Sequence, residues 1–308
     1  MTQYFNVAGH GFSLTLPAKS ALWATLDNYA PFRTEAAETV FALTLEEGFP
    51  AAAGNDAKDA GYQDWEPVLV SNEKPGEPRL DLYRRAGQWM FEMAPVSGMP
   101  VCGRLVCDAG FREGRLQELE EGRHGRFCID NALMLMYAFR TAGLGTLEMH
   151  ASVTVRDGEA YLFLGNSGAG KSTHSRLWRE HLPGSALLND DNPVVRVLPD
   201  GEVRVYGTPW SGKTPCYRNA SAPVAAMVRI VQAPENRLIR CSLVEAYAQL
   251  YSSSSGLKGE DGLADAFHQT LTGVLRRVPG YVLQCRADRE AALVCSEGIR
   301  RDREKEEG

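Results

Sequence analysis

Along the first 128 residues, apolar and polar positions alternate with a period of two, broken by glycine and proline. Phe12, Leu14 and Leu16 alternate with Ser13 and Thr15 up to Pro17, the spacing of a half-buried strand. Leu80 and Leu82, then Trp89, Phe91 and Met93, flank Arg84-Arg85-Ala86-Gly87-Gln88 and predict a hairpin. Ser20 is placed to cap a short helix through Leu26. The runs Ala51 to Gly61 and Ser71 to Pro78 are loops by composition. This half therefore predicts a mostly antiparallel sheet with little helix. Arg112 to Arg126 is charge-rich and is expected to be a solvated face or linker. A helix should follow, capped by Asp130, with an apolar face of Leu133, Leu135, Met136 and Phe139, and stopped by Gly143 and Gly145.

From Leu147 onward strands alternate with helices. Glu148 to Val155 and Ala160 to Leu164 are strands joined by the turn Arg156-Asp157-Gly158-Glu159, and His150 lies at the start of the first. A glycine-rich loop and a helix through Arg179 come next, then a short buried strand at Ala186 to Leu188. Val194 to Val197 and Val203 to Tyr206 form a second hairpin. Val224 to Val231 is a strand, and Ser242 to Tyr251 and Leu263 to Leu275 are helices. The chain thus predicts a mixed α/β protein: an N-terminal antiparallel β-rich domain over 1–130, a second domain over 131–300, and a charged, frayed tail over 301–308. Ser252 to Gly262 is either a connector or a lid over an acceptor site.

The length of 308 residues suits one or two domains, and 44% hydrophobic with 23% charged residues is ordinary for a globular chain. A net charge of −6 argues against a nucleic-acid partner that needs a broad basic face. No run reaches the roughly 18–20 apolar residues that cross a bilayer, and no signal-peptide pattern is visible, so the expectation is a cytoplasmic protein without a membrane partner. Seven cysteines without a CxxC pair point to buried reduced thiols.

The chemistry concentrates at Gly165-Asn166-Ser167-Gly168-Ala169-Gly170-Lys171-Ser172-Thr173, which satisfies G-x-x-x-x-G-K-[ST] between an apolar strand and a helix. Backbone N–H groups and the positive helix end would converge there on phosphate oxygens. Lys171 would reach the β and γ phosphates, and the Ser172 hydroxyl is placed for Mg²⁺. Asp190 and Asp191 end the strand after the loop helix, where ligands of α/β sheets sit; that strand is expected beside the loop strand. The pair is either catalytic or simply turn-forming. Lys213, in Gly207-Thr208-Pro209-Trp210-Ser211-Gly212-Lys213, either neutralises transferring phosphate charge or is a solvated lysine. His174 and His268 sit in helices and are expected to be structural.

A hairpin carrying His150, the GNSGAGKST loop and the following DD pair resemble the HPr kinase/phosphorylase and ATP-dependent phosphoenolpyruvate carboxykinase group of P-loop folds. The resemblance covers 147–215 well and is nearest to HPr-kinase-related proteins. It implies a phosphoenolpyruvate-carboxykinase-like P-loop domain that binds ATP and Mg²⁺, with oligomerisation possible. It also implies Asp190 as proton acceptor, Asp191 as metal partner with Ser172, and a role for His150. The activity implied is transfer of the γ-phosphate to a hydroxyl of a small molecule or of a serine in a peptide or protein. The alternatives are a nucleotide-responsive regulatory module and, less favoured in a chain of this length, a carboxykinase-type lyase.

Overall fold

The computed structural model describes residues 1–46, 64–70, 76–119, 123–212, 214–259 and 262–308. The loop at 51–61, most of that at 71–78, and Lys213 lie outside the described residues. Within them the protein is mixed α/β with two nine-stranded sheets. Contacts divide it into Met1–Arg140 and Thr141–Gly308, ten residues beyond the seam the sequence suggests.

In the first unit the strands are β1 (Thr2–Val7), β2 (His10–Thr15), β3 (Arg33–Thr34), β4 (Phe41–Leu45), β5 (Glu66–Leu69), β6 (Arg79–Arg85), β7 (Gln88–Ala94), β8 (Gly103–Asp108) and β9 (Glu113–Glu118), in the order β3-β1-β2-β4-β9-β8-β7-β6-β5. The β6–β7 hairpin forms as expected, with Arg85 paired to Gln88. The sheet is antiparallel except where β4 runs parallel to β2 and β9. β9 overturns the expected charged linker. Glu113 and Arg115 occupy its outward positions while Gly114 and Leu116 face inward, so charge hides a period-two strand. The short helix capped by Ser20 is a 3-10 turn over Ala21–Thr25.

Helix α1 (Gly125–Thr141) starts five residues before the expected cap. Asp130 lies inside it, accepting bonds from the Tyr29 hydroxyl at 2.8 Å and the Asn28 amide at 3.2 Å. Cys128 and Ile129, both fully buried, extend the apolar face into the earlier turn. Tyr137 and Phe139 of α1 pack on Phe12, Phe41 and Phe91 of the first sheet and on Phe111 of the β8–β9 connection, which is why the helix belongs to the first unit.

The second unit contains β10 (Thr146–Glu148), β11 (Ala151–Arg156), β12 (Glu159–Leu164), α2 (Lys171–His181), β13 (Ala186–Asp191), β14 (Val194–Val197), β15 (Val203–Tyr206) and β16 (Ser221–Gln232). It continues with β17 (Arg237–Arg240), α3 (Leu243–Ser253), α4 (Leu263–Leu275), β18 (Gly280–Cys285) and α5 (Arg289–Glu307). The order is β10-β14-β15-β16-β12-β11-β13, with β18 alongside β16 and β17 alongside β18. The strand carrying the aspartates therefore pairs with β11 and not with the loop strand β12, because the β11–β12 hairpin already fills that edge of β12 and β16 fills the other. The expected single strand from Glu148 is interrupted, leaving His150 at the break between β10 and β11.

Alternation along β12 sorts its side chains between two cores. Phe163 packs with Trp178, Ile230, Leu283 and Ala292 on the face covered by α2 and α5. Leu162 and Leu164 pack with Leu250, Phe267 and Leu271 on the face covered by α3 and α4. Each fully buried Leu or Phe contributes about 1.5–3 kcal/mol, which fixes β12 rigidly. The parallel strands β12, β16 and β18 point the same way, so their C-terminal ends share one edge. The charged tail expected to fray is instead the last turns of α5. Arg303 donates to Glu159 at 2.6 Å, and Arg240 pairs with Asp302 and Glu306.

Candidate functional site

At that shared edge the chain leaves β12 through Gly165 and enters α2 at Lys171. Gly165, Gly168 and Gly170 have φ of 142°, 78° and 107°, a region where a Cβ is strained. These angles turn the backbone into an open cradle. Gly170 stands at the N-cap without a side-chain cap, so the first N–H groups of α2 are free to meet an anion.

Lys171 is 9% exposed, and its ammonium bends back to donate to the Gly165 and Asn166 carbonyls at 3.0 and 3.4 Å. Burial holds its pKa below the ordinary value, while Asp191 and Asp190 favour the charged form. The Ser172 hydroxyl donates to Asp190 Oδ1 at 2.8 Å. The loop serine thus meets Asp190, where the resemblance paired it with Asp191. Behind them, the Ser152 and Ser175 hydroxyls lie 2.6 Å apart and tie β11 to α2.

Asp191 is half exposed and faces His150, with Nε2 3.7 Å from Oδ1. The His150 pKa is lowered by burial and by Lys171, against the opposing pull of Asp191. The Asp191 backbone has φ 118°, a conformation that costs a residue with a Cβ about 1–3 kcal/mol. A strap holds it there. Asp191 bridges Ser211, the Gly212 N–H donates to the Asp190 carbonyl at 2.7 Å, and Ser211 Oγ donates to the same carbonyl at 3.0 Å. A Cβ on Gly212 would lie 2.9 Å from Asp191 Oδ2, so only glycine lets the strap approach this closely.

Several supporting residues carry no sequence motif. The buried Asn189 amide donates to Thr208 Oγ1 at 3.1 Å and to the Trp210 carbonyl at 3.2 Å, and its oxygen accepts the Asn192 N–H at 3.1 Å. This locks the Asn189–Asn192 turn against the strap. Glu148 is 1% exposed and one of its carboxylate oxygens has no partner among the described residues. Burial, with a smaller push from Asp191, raises its pKa to about 7 against the Ser255 hydrogen bond.

The structure therefore brings together Lys171, Ser172, Asp190, Asp191 and His150 at one strand edge. The 207–212 strap reaches it too, whereas Lys213 lies outside the described residues. His268 packs against Tyr247 and Tyr251. His174, expected to be structural, borders a cavity next to the loop. No protein-family model matches the chain, and comparison with curated proteins finds no match either.

Proposed function

We propose that the second unit is an ATP- and Mg²⁺-dependent kinase that phosphorylates an alcohol hydroxyl. The observation that carries this reading is the 2.8 Å bond between the loop serine and Asp190. It sets a carboxylate and a hydroxyl, the oxygen donors that Mg²⁺ prefers, directly beside an anion cradle. Among the described residues no three His, Cys, Asp or Glu side chains gather as a ready cation site, so Mg²⁺ would draw on Ser172, Asp190, phosphate oxygens and water. Bound there, ATP supplies the γ-phosphoryl group and Mg²⁺ offsets the charge on its oxygens.

The chain's own residues do the positioning that phosphoryl transfer mainly requires. Lys171, swung from the Gly165 and Asn166 carbonyls it now contacts, holds the β and γ oxygens. Asp190 takes the metal side through Ser172. Asp191, more open and beside a neutral-leaning His150, orients the acceptor hydroxyl and accepts its proton. This division reverses the roles that the resemblance implies for the two aspartates.

The test is transfer from γ-labelled ATP with Mg²⁺ to a panel of small alcohols, serine peptides and proteins. Label should move to one acceptor class. Asp191→Asn should reduce transfer at least about 100-fold with ATP affinity intact, and Asp190→Asn should raise the Mg²⁺ concentration needed for binding. Tight ATP binding with no label on any acceptor would favour a nucleotide-driven regulatory module, and full transfer by Asp191→Asn would overturn its role.

A further inference from the structure

On the side of the loop strand away from the aspartates, a cavity of about 430 Å³ opens between α2 and the ends of β16 and β18. That volume lies in the range of about 300–1,000 Å³ typical of small-molecule sites. Gly168 and Gly170 form part of its wall, so a molecule with phosphates on the loop extends directly into it. Leu177, Ile230, Ala233 and Ala287 give it apolar surface, and His174 and Gln232 give it polar groups. Gln232 also donates to the Gly168 carbonyl at 3.3 Å, joining the far wall to the loop.

His174 is the informative residue. It is 2% exposed, and Trp178 Nε1 donates to its Nε2 at 3.0 Å. An indole nitrogen only donates, so Nε2 must accept. With Nε2 accepting from the indole, the ring carries its proton on Nδ1. Phe163 packs edge-on to the ring at 4.7 Å and restrains its orientation. Among the described residues no group accepts from Nδ1. Nδ1–H is therefore the ring's remaining donor, open to an acceptor on a ligand in the cavity that His174 lines.

We infer that this cavity receives the nucleoside half of the nucleotide, and that His174 is a specificity-determining residue whose Nδ1–H binds an acceptor on the base or sugar. The inference rests on the loop being a nucleotide site, and it adds where the uncharged half of the ligand lies and what recognises it.

Equilibrium binding of ATP and of inorganic tripolyphosphate, each with Mg²⁺, separates the two readings. The full chain should bind ATP at least tenfold more tightly than tripolyphosphate. His174→Phe keeps an aromatic ring without the donor and should lower ATP affinity about tenfold while leaving tripolyphosphate within twofold. Ala287→Trp, at an exposed position on the cavity mouth, should do the same by filling it, and decides the matter if His174→Phe fails to fold. Equal affinity for the two ligands in the unaltered protein, or variants that weaken both equally, would overturn the inference. In that case loss of tripolyphosphate binding in Lys171→Ala would still uphold the loop as a phosphate site. Failure of both ligands to bind the unaltered protein would overturn both readings.

Discussion

The two sheets bury charge in different ways. In the first unit Arg104 on β8 meets Glu92 on the neighbouring β7 at 2.9 Å, with side chains 14% and 5% exposed, and Arg79 meets Asp81 at 3.2 Å. In these two pairs each charge faces an opposite charge of the same sheet. In the second unit Lys171 turns to two carbonyls, Asp190 to a hydroxyl, and Glu148 keeps an oxygen without a partner among the described residues. Its buried charges are gathered at one edge but not matched to each other. A matched pair is the signature of structure, whereas charge held in place without a match is poised for something that arrives.

Breaking a matched pair should therefore produce the largest loss of stability. Arg104→Ala leaves Glu92 buried without its nearest cation and should cost about 3–5 kcal/mol, read from urea unfolding. The sharpest contrast comes from Glu148→Gln. Its folded pKa stands near 7 against an ordinary 4.5, so the native state holds a proton that the unfolded chain gives up between those values. Stability of the unaltered protein should thus fall as pH rises from about 4.5 to 7. At about 1.4 kcal/mol for each tenfold change in acidity, the fall approaches about 3 kcal/mol, and Glu148→Gln, which mimics the protonated acid, should abolish it. A flat difference between the two proteins across that range would show that Glu148 is not buried as described.

Lys171→Ala tests the unmatched side through its ligand. Nucleotide affinity should drop at least about 100-fold, roughly 2.7 kcal/mol, while the unfolding midpoint shifts little, because the cation has no carboxylate partner to strand. Gly212→Ala should push the strap off Asp191 and reduce transfer about tenfold with ATP affinity unchanged, and a variant with full activity would show that the strap does not position Asp191. At the smallest end, Arg300→Ala removes an exposed i,i+4 pair with Glu304 and should move stability by no more than about 0.5 kcal/mol.

Local structure was the most legible part of the sequence. The glycine-rich loop between a strand and a helix, the β6–β7 and β11–β12 hairpins and the position of the aspartates at a strand end all follow from spacing and turn residues. What could not be read was pairing between distant segments. Nothing in residues 186–191 says that β11 stands between them and the loop strand, and nothing near Asn189 announces Thr208, 19 positions later. β9 was hidden for a different reason. Glu113 and Arg115 dominate its composition, and only the placement of Leu116 in the core reveals the strand. A histidine in a helix gives no sign of which ring nitrogen is engaged, and for His174 that depends on Trp178, whose indole bonds Nε2.

The twisted backbone at Asp191 also sets a direction for change under selection. At φ 118° glycine is the residue that would relax the turn, so Asp191→Gly should toughen the fold while silencing the chemistry proposed for it. A laboratory lineage screened for heat tolerance alone would drift toward that replacement. One screened for turnover would be held at aspartate, and the two regimes could be told apart by sequencing a single codon.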